Sequence, residues 1–477
     1  MKYLITILVL ATMLSSSCKK GFIDLPPVST VSTEALYKTD KDYSDAIIGV
    51  YSILRDQYQS FWQFDLASDD SRHQWPSEDI WLRLDNYTYQ TDEPFFLTSW
   101  GNYYGIIFRA NTLLDKLAAA DAAAVPNKDR YMAEAKFLRA FAYFDLVRLF
   151  GDVPLVTKVI NDEEAIKIPR SKTDLVYNEV IIKDLLEAQK NLPATYTGDN
   201  AGRPTSGAAA AILGKVYLTK KDFVNAASKL LEVTTMGYEL LPNYNDLFDY
   251  TKDEHHKEYI FDIEYETGIQ QGSDFTNNFF PRDQDAQDFF QVYGGTGDTN
   301  TPSDSSFSLF SAGDARKDVS VARGFIGQGG VYHSLANSAG AKTMTKKYIT
   351  PVAFAGDSKV NWKVIRYADV LLMLAEAINE SGATADALPY LNMVRTRAKV
   401  AAFTGLTKDD AREKIYLERR LELSFEGLRW FDLVRTGRAY ETLKYLGMKP
   451  YMVLFPIPLS QIQVVNDPAI LSQNSGY

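Results

Sequence analysis

Two stretches of the chain repeat one spacing of small and branched apolar residues, and this spacing restricts the fold more than any other feature. Leu213, Gly214, Tyr217, Ala226, Leu230 and Val233 stand at the same relative positions as Leu374, Ala375, Ile378, Ala387, Leu391 and Val394. Each set is spread over two adjoining segments of helical period, 205–219 with 222–236 and 364–380 with 383–399. Two matches at one register make each set read as one helix pair.

The spacing is that of a tetratricopeptide helix pair. The predicted fold is therefore mainly α, a tetratricopeptide-like scaffold of helical pairs with loop-rich excursions and a few short strands. Further helices are predicted over 40–58, 103–120, 127–150, 171–191, 407–425 and 428–440. Ser171 and Asp174 offer a capping box for the fourth of these. Gly151 and Pro154 end the third. Residues 259–265 alternate in the manner of a half-buried strand. Between 268 and 340 stand 11 of the 28 glycines, among dense Asn, Asp and Ser, which reads as an excursion from the helical scaffold. The final stretch, through Pro456-Ile457-Pro458, reads as extended to the C-terminus.

The N-terminus carries a different instruction. Lys2 precedes the apolar run 4–14, which is too short to span a bilayer and reads as a secretory signal. Ser15-Ser16-Ser17 supply the small residues of a cleavage site, and Cys18, the only cysteine, follows. A single cysteine in an exported chain has no internal disulfide partner. Its position resembles the lipobox of bacterial lipoproteins, with Ser15 where the usual box has Leu. This predicts a signal peptide over 1–17 and lipidation at Cys18, where two acyl chains suffice for stable anchoring. Polar residues 18–39, with Pro26-Pro27, read as a lipidated tether.

Four of the six tryptophans fall within 61–104. Phe61, Trp62 and Phe64 adjoin the first helix and read as core. Trp75 and Trp81 sit among Asp70, Arg72 and Arg83 in an irregular loop over 69–100. A flat ring beside carboxylates and guanidinium groups suits a sugar, whose C–H face stacks and whose hydroxyls need donors and acceptors. The expected glycan-binding set is Trp75, Trp81, Asp70, Arg72, Arg83, Tyr89 and Trp100, with the loop facing the glycine-rich excursion.

Other chemistries find little support. The net charge of −10, without a basic block, argues against a nucleic-acid partner. His73, His255, His256 and His333 show no metal-ligand spacing, and no serine elbow, phosphate loop or nucleophilic cysteine is present. No catalytic residue, cofactor or metal is expected. Asp69-Asp70 is the acidic pair that a glycosidase reading would use. The segment 418–437 interleaves charge with Leu421, Phe425, Trp430 and Phe431, which suggests partly buried ion pairs between i,i+3 neighbours such as Arg419 and Glu422, Glu426 and Arg429, and Arg429 and Asp432.

Taken together, these stretches resemble the SusD/RagB family of outer-membrane nutrient-binding lipoproteins. The resemblance rests on Cys18 with Phe22-Ile23-Asp24, on Ala133 to Ala140 running to Phe150-Gly151-Asp152-Val153-Pro154, and on Arg203-Pro204-Thr205. It continues through Gly313 to Asp318, Arg366 to Met373, the segment 418–437, Pro456-Ile457-Pro458 and the terminal Gln473 to Tyr477. It implies a SusD-like unit over 40–477: a helical part over 40–264, the excursion over 265–345 and a C-terminal helical part over 346–477. It also implies a lipid anchor in the outer membrane facing the cell exterior, and a SusC-type TonB-dependent transporter over which the protein sits as a lid. The ligand it implies is an oligosaccharide; the alternatives are peptide capture of the RagB kind and a surface structural protein without a ligand. The family is non-enzymatic and has no fixed ligand-binding motif.

Overall fold

The computed structural model describes residues 36–74, 79–252, 254–335 and 343–477. The signal segment, Cys18, the tether as far as residue 35 and Trp75 lie outside them.

Helix α1 (Asp40–Tyr58) is capped by Thr39, whose hydroxyl accepts the Asp42 N–H. After it come the short α2 (Gln63–Leu66) and α3 (Ile80–Asp85). The long α4 (Pro94–Ala119) packs on α5 (Lys128–Phe150), and α5 packs on α6 (Ile182–Asn191). The stack continues through α7 (Ser206–Thr219), α8 (Phe223–Val233), α9 (Tyr367–Glu380) and α10 (Thr384–Arg397), each against the next. Helices α11 (Lys408–Glu422), α12 (Arg429–Arg435) and α13 (Leu459–Val465) complete the C-terminal part. The repeated spacing has a direct cause in α7: a Cβ on Gly214 would come 2.5 Å from Leu230 of α8, so glycine sets how closely the pair approaches. The counterpart in α9 is Ala375, fully buried.

Several boundaries depart from the sequence reading. Helix α4 starts at Pro94 rather than 103, because proline is well suited to a first turn, where its missing N–H costs nothing. Residues 364–366 belong to strand β4 (Trp362–Arg366), which pairs antiparallel with β2 (Tyr259–Ile263). Strand β4 is buried along its whole length, so it carries no alternation to distinguish it from a helix start. Ser171 caps nothing; it lies in a two-residue strand, and Asp152 accepts the Thr173 N–H and hydroxyl at 2.9 and 3.0 Å. The helix read over 428–440 is broken near Gly437, which takes φ +72°. The C-terminal stretch is not extended throughout, since it contains α13.

The charged segment 418–437 is largely buried, and in place of the i,i+3 pairs read from sequence it finds mostly distant partners, with Arg435 and Asp432 at 2.8 Å a local exception. Fully buried Glu422 takes Arg366 and Arg397, each at 2.5 Å, and Arg316 at 3.2 Å. Glu426 pairs with Arg366 at 2.9 Å and Lys347 at 2.7 Å. Arg419 reaches Asp369 of α9 at 2.7 Å. Burial would raise the Glu422 carboxyl, but Arg397, Arg366 and Arg316 together bring it down to about 2. The 265–345 excursion is thus tied to the scaffold by ion pairs through Arg316, and the following segment by Lys347. It also keeps a small core around Phe280, Val292, Phe325 and Met344, to which Val352 of the following segment adds.

Candidate functional site

The aromatic loop and the excursion meet. Strand β1 (Ser71–Arg72) pairs antiparallel with β3 (Thr301–Pro302), setting Ser71 against Pro302 and Arg72 against Thr301. The Gln74 N–H donates to the Asp298 carbonyl at 2.9 Å. Behind this junction the Ser71 hydroxyl donates to Asn300, whose amide donates to Asp65 at 3.2 Å. Asp65 is wholly buried. Burial pushes its carboxyl up to about 8, opposed by the hydrogen bonds from the Gly427 N–H and Asn300.

The acidic pair at the base of the loop is a clamp. Asp69 takes Arg429 at 2.8 Å and Arg420 at 2.9 Å, and Asp70 takes Arg420 at 2.6 Å. Burial raises Asp69, yet Arg429 and Arg420 hold it below the usual carboxylate range. These pairs fix the loop to α11 and α12.

Three of the expected ligand residues turn inward. Asp70 is 1% exposed and spent on Arg420 and the Ser306 hydroxyl. Tyr89 is 4% exposed, packed edge-on against Phe96, with its hydroxyl 3.0 Å from that of Tyr477. Trp100, in the second turn of α4, is 6% exposed because it faces Phe150 edge-on at 5.2 Å. Its remaining edge lines an apolar groove of about 310 Å³ with Phe108, Ile166 and Val464, away from the loop junction. Burial removes Asp70, Tyr89 and Trp100 from the ligand set.

Trp81, Arg72 and Arg83 are brought together around α3. Asp79 caps the helix, accepting the Trp81 and Leu82 N–H groups at 3.0 Å each. The half-buried Trp81 ring lies on Trp62 at 4.7 Å, and Trp62 meets Phe279 of the excursion edge-on at 5.6 Å. Arg83 forms a fork with Glu93 at 2.6 and 2.8 Å, which lowers the Glu93 carboxyl through that hydrogen bond despite partial burial. Arg72 donates to the Ser68 carbonyl at 3.1 Å and lies 3.4 Å from Asp85. Burial raises Asp85 to about 6, against the pull of Arg72 and the His73 N–H. The His73 ring is buried with Nε2 3.2 Å from Asp79; burial lowers its affinity for a proton, against the pull of Asp79.

Two rings that the sequence reading did not select stand out on the excursion side. Tyr293 and Phe354 are 46% and 58% exposed. They sit on adjacent loops, since Val292 bridges Val352 and a Cβ on Gly294 would lie 2.6 Å from the Phe354 Cα. Asn277, two residues before Phe279, holds the Tyr293 and Gly295 carbonyls at 2.8 and 2.7 Å. Trp81 contacts Trp62 and Trp62 contacts Phe279, whose short helix (Phe275–Phe279) also carries the Asn277 that holds the Tyr293 backbone. The sequence signal of the two exposed rings is an aromatic directly before glycine (Tyr293-Gly294) or one residue from it (Phe354-Ala355-Gly356). Among the described residues no three His, Cys, Asp or Glu side chains converge as a metal site would require.

Comparison with known proteins decides the family. The model of the SusD family matches residues 233–477, more than half of the chain. The chain belongs to the SusD family. A second family model, described as starch-binding and associating with the outer membrane, matches residues 22–218. SusD-like protein P2 of Formosa agariphila is 30% identical over 525 aligned positions covering all of both chains. A laminarin-binding SusD-like protein of known structure is 29% identical, with a TM-score of 0.80 over 92% of this chain and all of that one. A SusD homologue from Bacteroides thetaiotaomicron gives 0.81 at 25% identity, over 94% of this chain and 99% of its own. The helical-pair scaffold is thus the SusD fold, and the junction of loop and excursion described above is a feature of this SusD-family chain.

Proposed function

We propose that this chain binds an oligosaccharide at the cell surface, without cleaving it, and passes it to a SusC-type TonB-dependent transporter over which it acts as a lid. The observation that carries the reading is the half-buried Trp81 ring, seated on Trp62 beside the Arg83–Glu93 fork, together with the exposed Tyr293 and Phe354 on the excursion side. Exposed rings held by a rigid scaffold offer stacking surface for sugar C–H faces at little ordering cost. The partly exposed Arg72 and Arg83, held by buried Asp85 and Glu93, supply donors for hydroxyls. The laminarin-binding relative of known structure supports a glycan as the ligand class. Asp69 and Asp70 are both neutralised by arginine, which favours binding over glycosidase chemistry. Cys18 would carry the lipid that holds the protein on the outer face of the outer membrane.

Affinity electrophoresis of the soluble form against a panel of laminarin, starch, xylan and proteolysed protein tests the site. Trp81→Ala and Tyr293→Ala are expected to lose retardation, as is Trp75→Ala on the sequence reading. Retardation unchanged in both Trp81→Ala and Tyr293→Ala removes this surface. Retention by peptide alone replaces the glycan with a peptide ligand.

A further inference from the structure

One exposed ring beside the loop is held in place by a charged side chain that the fold could have spent elsewhere. Tyr445 lies in a single 3-10 turn (Lys444–Leu446) and is 65% exposed. Gly447 closes the turn at φ +107°, and a Cβ there would meet the Asn86 carbonyl oxygen at 2.6 Å. The turn is therefore seated on the C-terminal end of α3. Arg72 Nη2 donates to the Tyr445 hydroxyl at 2.5 Å, with the guanidinium carbon 5.8 Å from the ring centroid. Arg72 is itself fixed, by the β1–β3 pairing, the Ser68 carbonyl and Asp85.

An exposed tyrosine ordinarily samples several rotamers, and ordering it on binding costs free energy. Here the hydroxyl is tied to a half-buried guanidinium while the ring stays in solvent, so that cost is met on folding. The ring also continues a row. Trp81 and Asp85 are four residues apart on one face of α3, about 6 Å along its axis. Asp85 holds Arg72, and Arg72 holds Tyr445.

We infer that Tyr445 is a second aromatic contact for the ligand, which runs along α3 from Trp81 to Tyr445 past Arg72, with the buried Asp85 holding Arg72 from beneath. The inference rests on the glycan-binding reading above and narrows it: the preferred ligand is a linear oligosaccharide long enough to touch both rings, rather than a mono- or disaccharide.

The probe is whichever of laminarin, starch or xylan retards the wild-type protein, together with the size ladder from its partial hydrolysis, read by titration calorimetry. Tyr445→Ala is expected to weaken the long oligosaccharides about tenfold and to leave the shortest binding members unchanged. Tyr445→Phe, which keeps the ring and removes the tie to Arg72, is expected to fall between it and the wild type. Trp81→Ala is expected to weaken every member of the ladder. Equal affinity of Tyr445→Ala and wild type for long chains overturns the inference while leaving the Trp81 surface standing. A loss in Tyr445→Ala without one in Trp81→Ala overturns the shared path along α3. No retardation of the wild type by any of the three polysaccharides removes both readings.

Discussion

Replacing Glu422 with Gln tests how far the fold depends on its buried charges. The carboxylate is 0% exposed and faces Arg366, Arg397 and Arg316 at 2.5, 2.5 and 3.2 Å. The amide is nearly isosteric, so no cavity opens; what changes is that buried guanidinium groups lose one negative charge. Breaking a buried pair in this way typically costs about 3–5 kcal/mol. A second route gives a similar figure. Each tenfold change in proton affinity is worth about 1.4 kcal/mol, so holding the carboxyl at about 2 instead of 4.5 amounts to roughly 3 kcal/mol. The sign follows from linkage: the unfolded chain binds the proton more tightly, so this stability is present above pH 4.5 and lost as pH falls toward 2. Urea unfolding followed by circular dichroism at several pH values is the assay. At pH 7 Glu422→Gln is expected to lie about 3 kcal/mol below the wild type, and the gap to close as the buffer is taken through pH 4.5 toward 2. A gap under about 1 kcal/mol at pH 7, or one that persists unchanged into acid, would refute the claim that Glu422 is held as an anion by the arginines.

Three shorter tests bear on the same frame. Gly427 takes φ +70°, and a Cβ there would lie 2.7 Å from the Phe61 ring, so Gly427→Ala should destabilise by about 2 kcal/mol or more, read as a lower urea midpoint. Asp65 is held protonated up to about pH 8 against an ordinary 3.8. The folded state therefore binds the proton more tightly, its contribution falls as pH rises from about 4 to 8, and Asp65→Asn should flatten that limb of the stability curve. Cys18→Ser should release the protein from the membrane fraction and abolish labelling by radioactive fatty acid, as measured by fractionation and autoradiography.

Much of the scaffold was legible because helix pairing leaves a period. The spacing that contains Gly214 and Leu230 specifies a pair, and the structure shows why: the glycine's missing Cβ is filled by the leucine. Boundaries failed where burial erased the period. In β4 all five residues from Trp362 to Arg366 are buried, so strand and helix start look alike in sequence. Local charge pairs failed for a related reason. Sequence offers only neighbours at i,i+3, whereas Glu422 and Arg429 found partners that the fold brought from far away, Arg366 and Asp69 among them. At the candidate site the residue types were legible and the burial was not. Tyr89 and Trp100 share the composition of a ligand loop, yet their rings are consumed by the cluster around Phe96 and by Phe150. Tyr293 and Phe354 lay in a glycine-rich stretch with no period to single them out, and only the closeness of Gly294 to Phe354 shows that they share a surface.

The central claim is that the protein holds a glycan without breaking it. Incubation of the soluble protein with the retarding polysaccharide, with affinity followed by calorimetry and the supernatant followed by size chromatography, measures both halves at once. The account predicts saturable binding, weakened by Trp81→Ala, with the polysaccharide unchanged in size after prolonged incubation. Release of shorter sugars by the wild-type protein, or saturable binding that Trp81→Ala, Tyr293→Ala and Tyr445→Ala all leave intact, would contradict it.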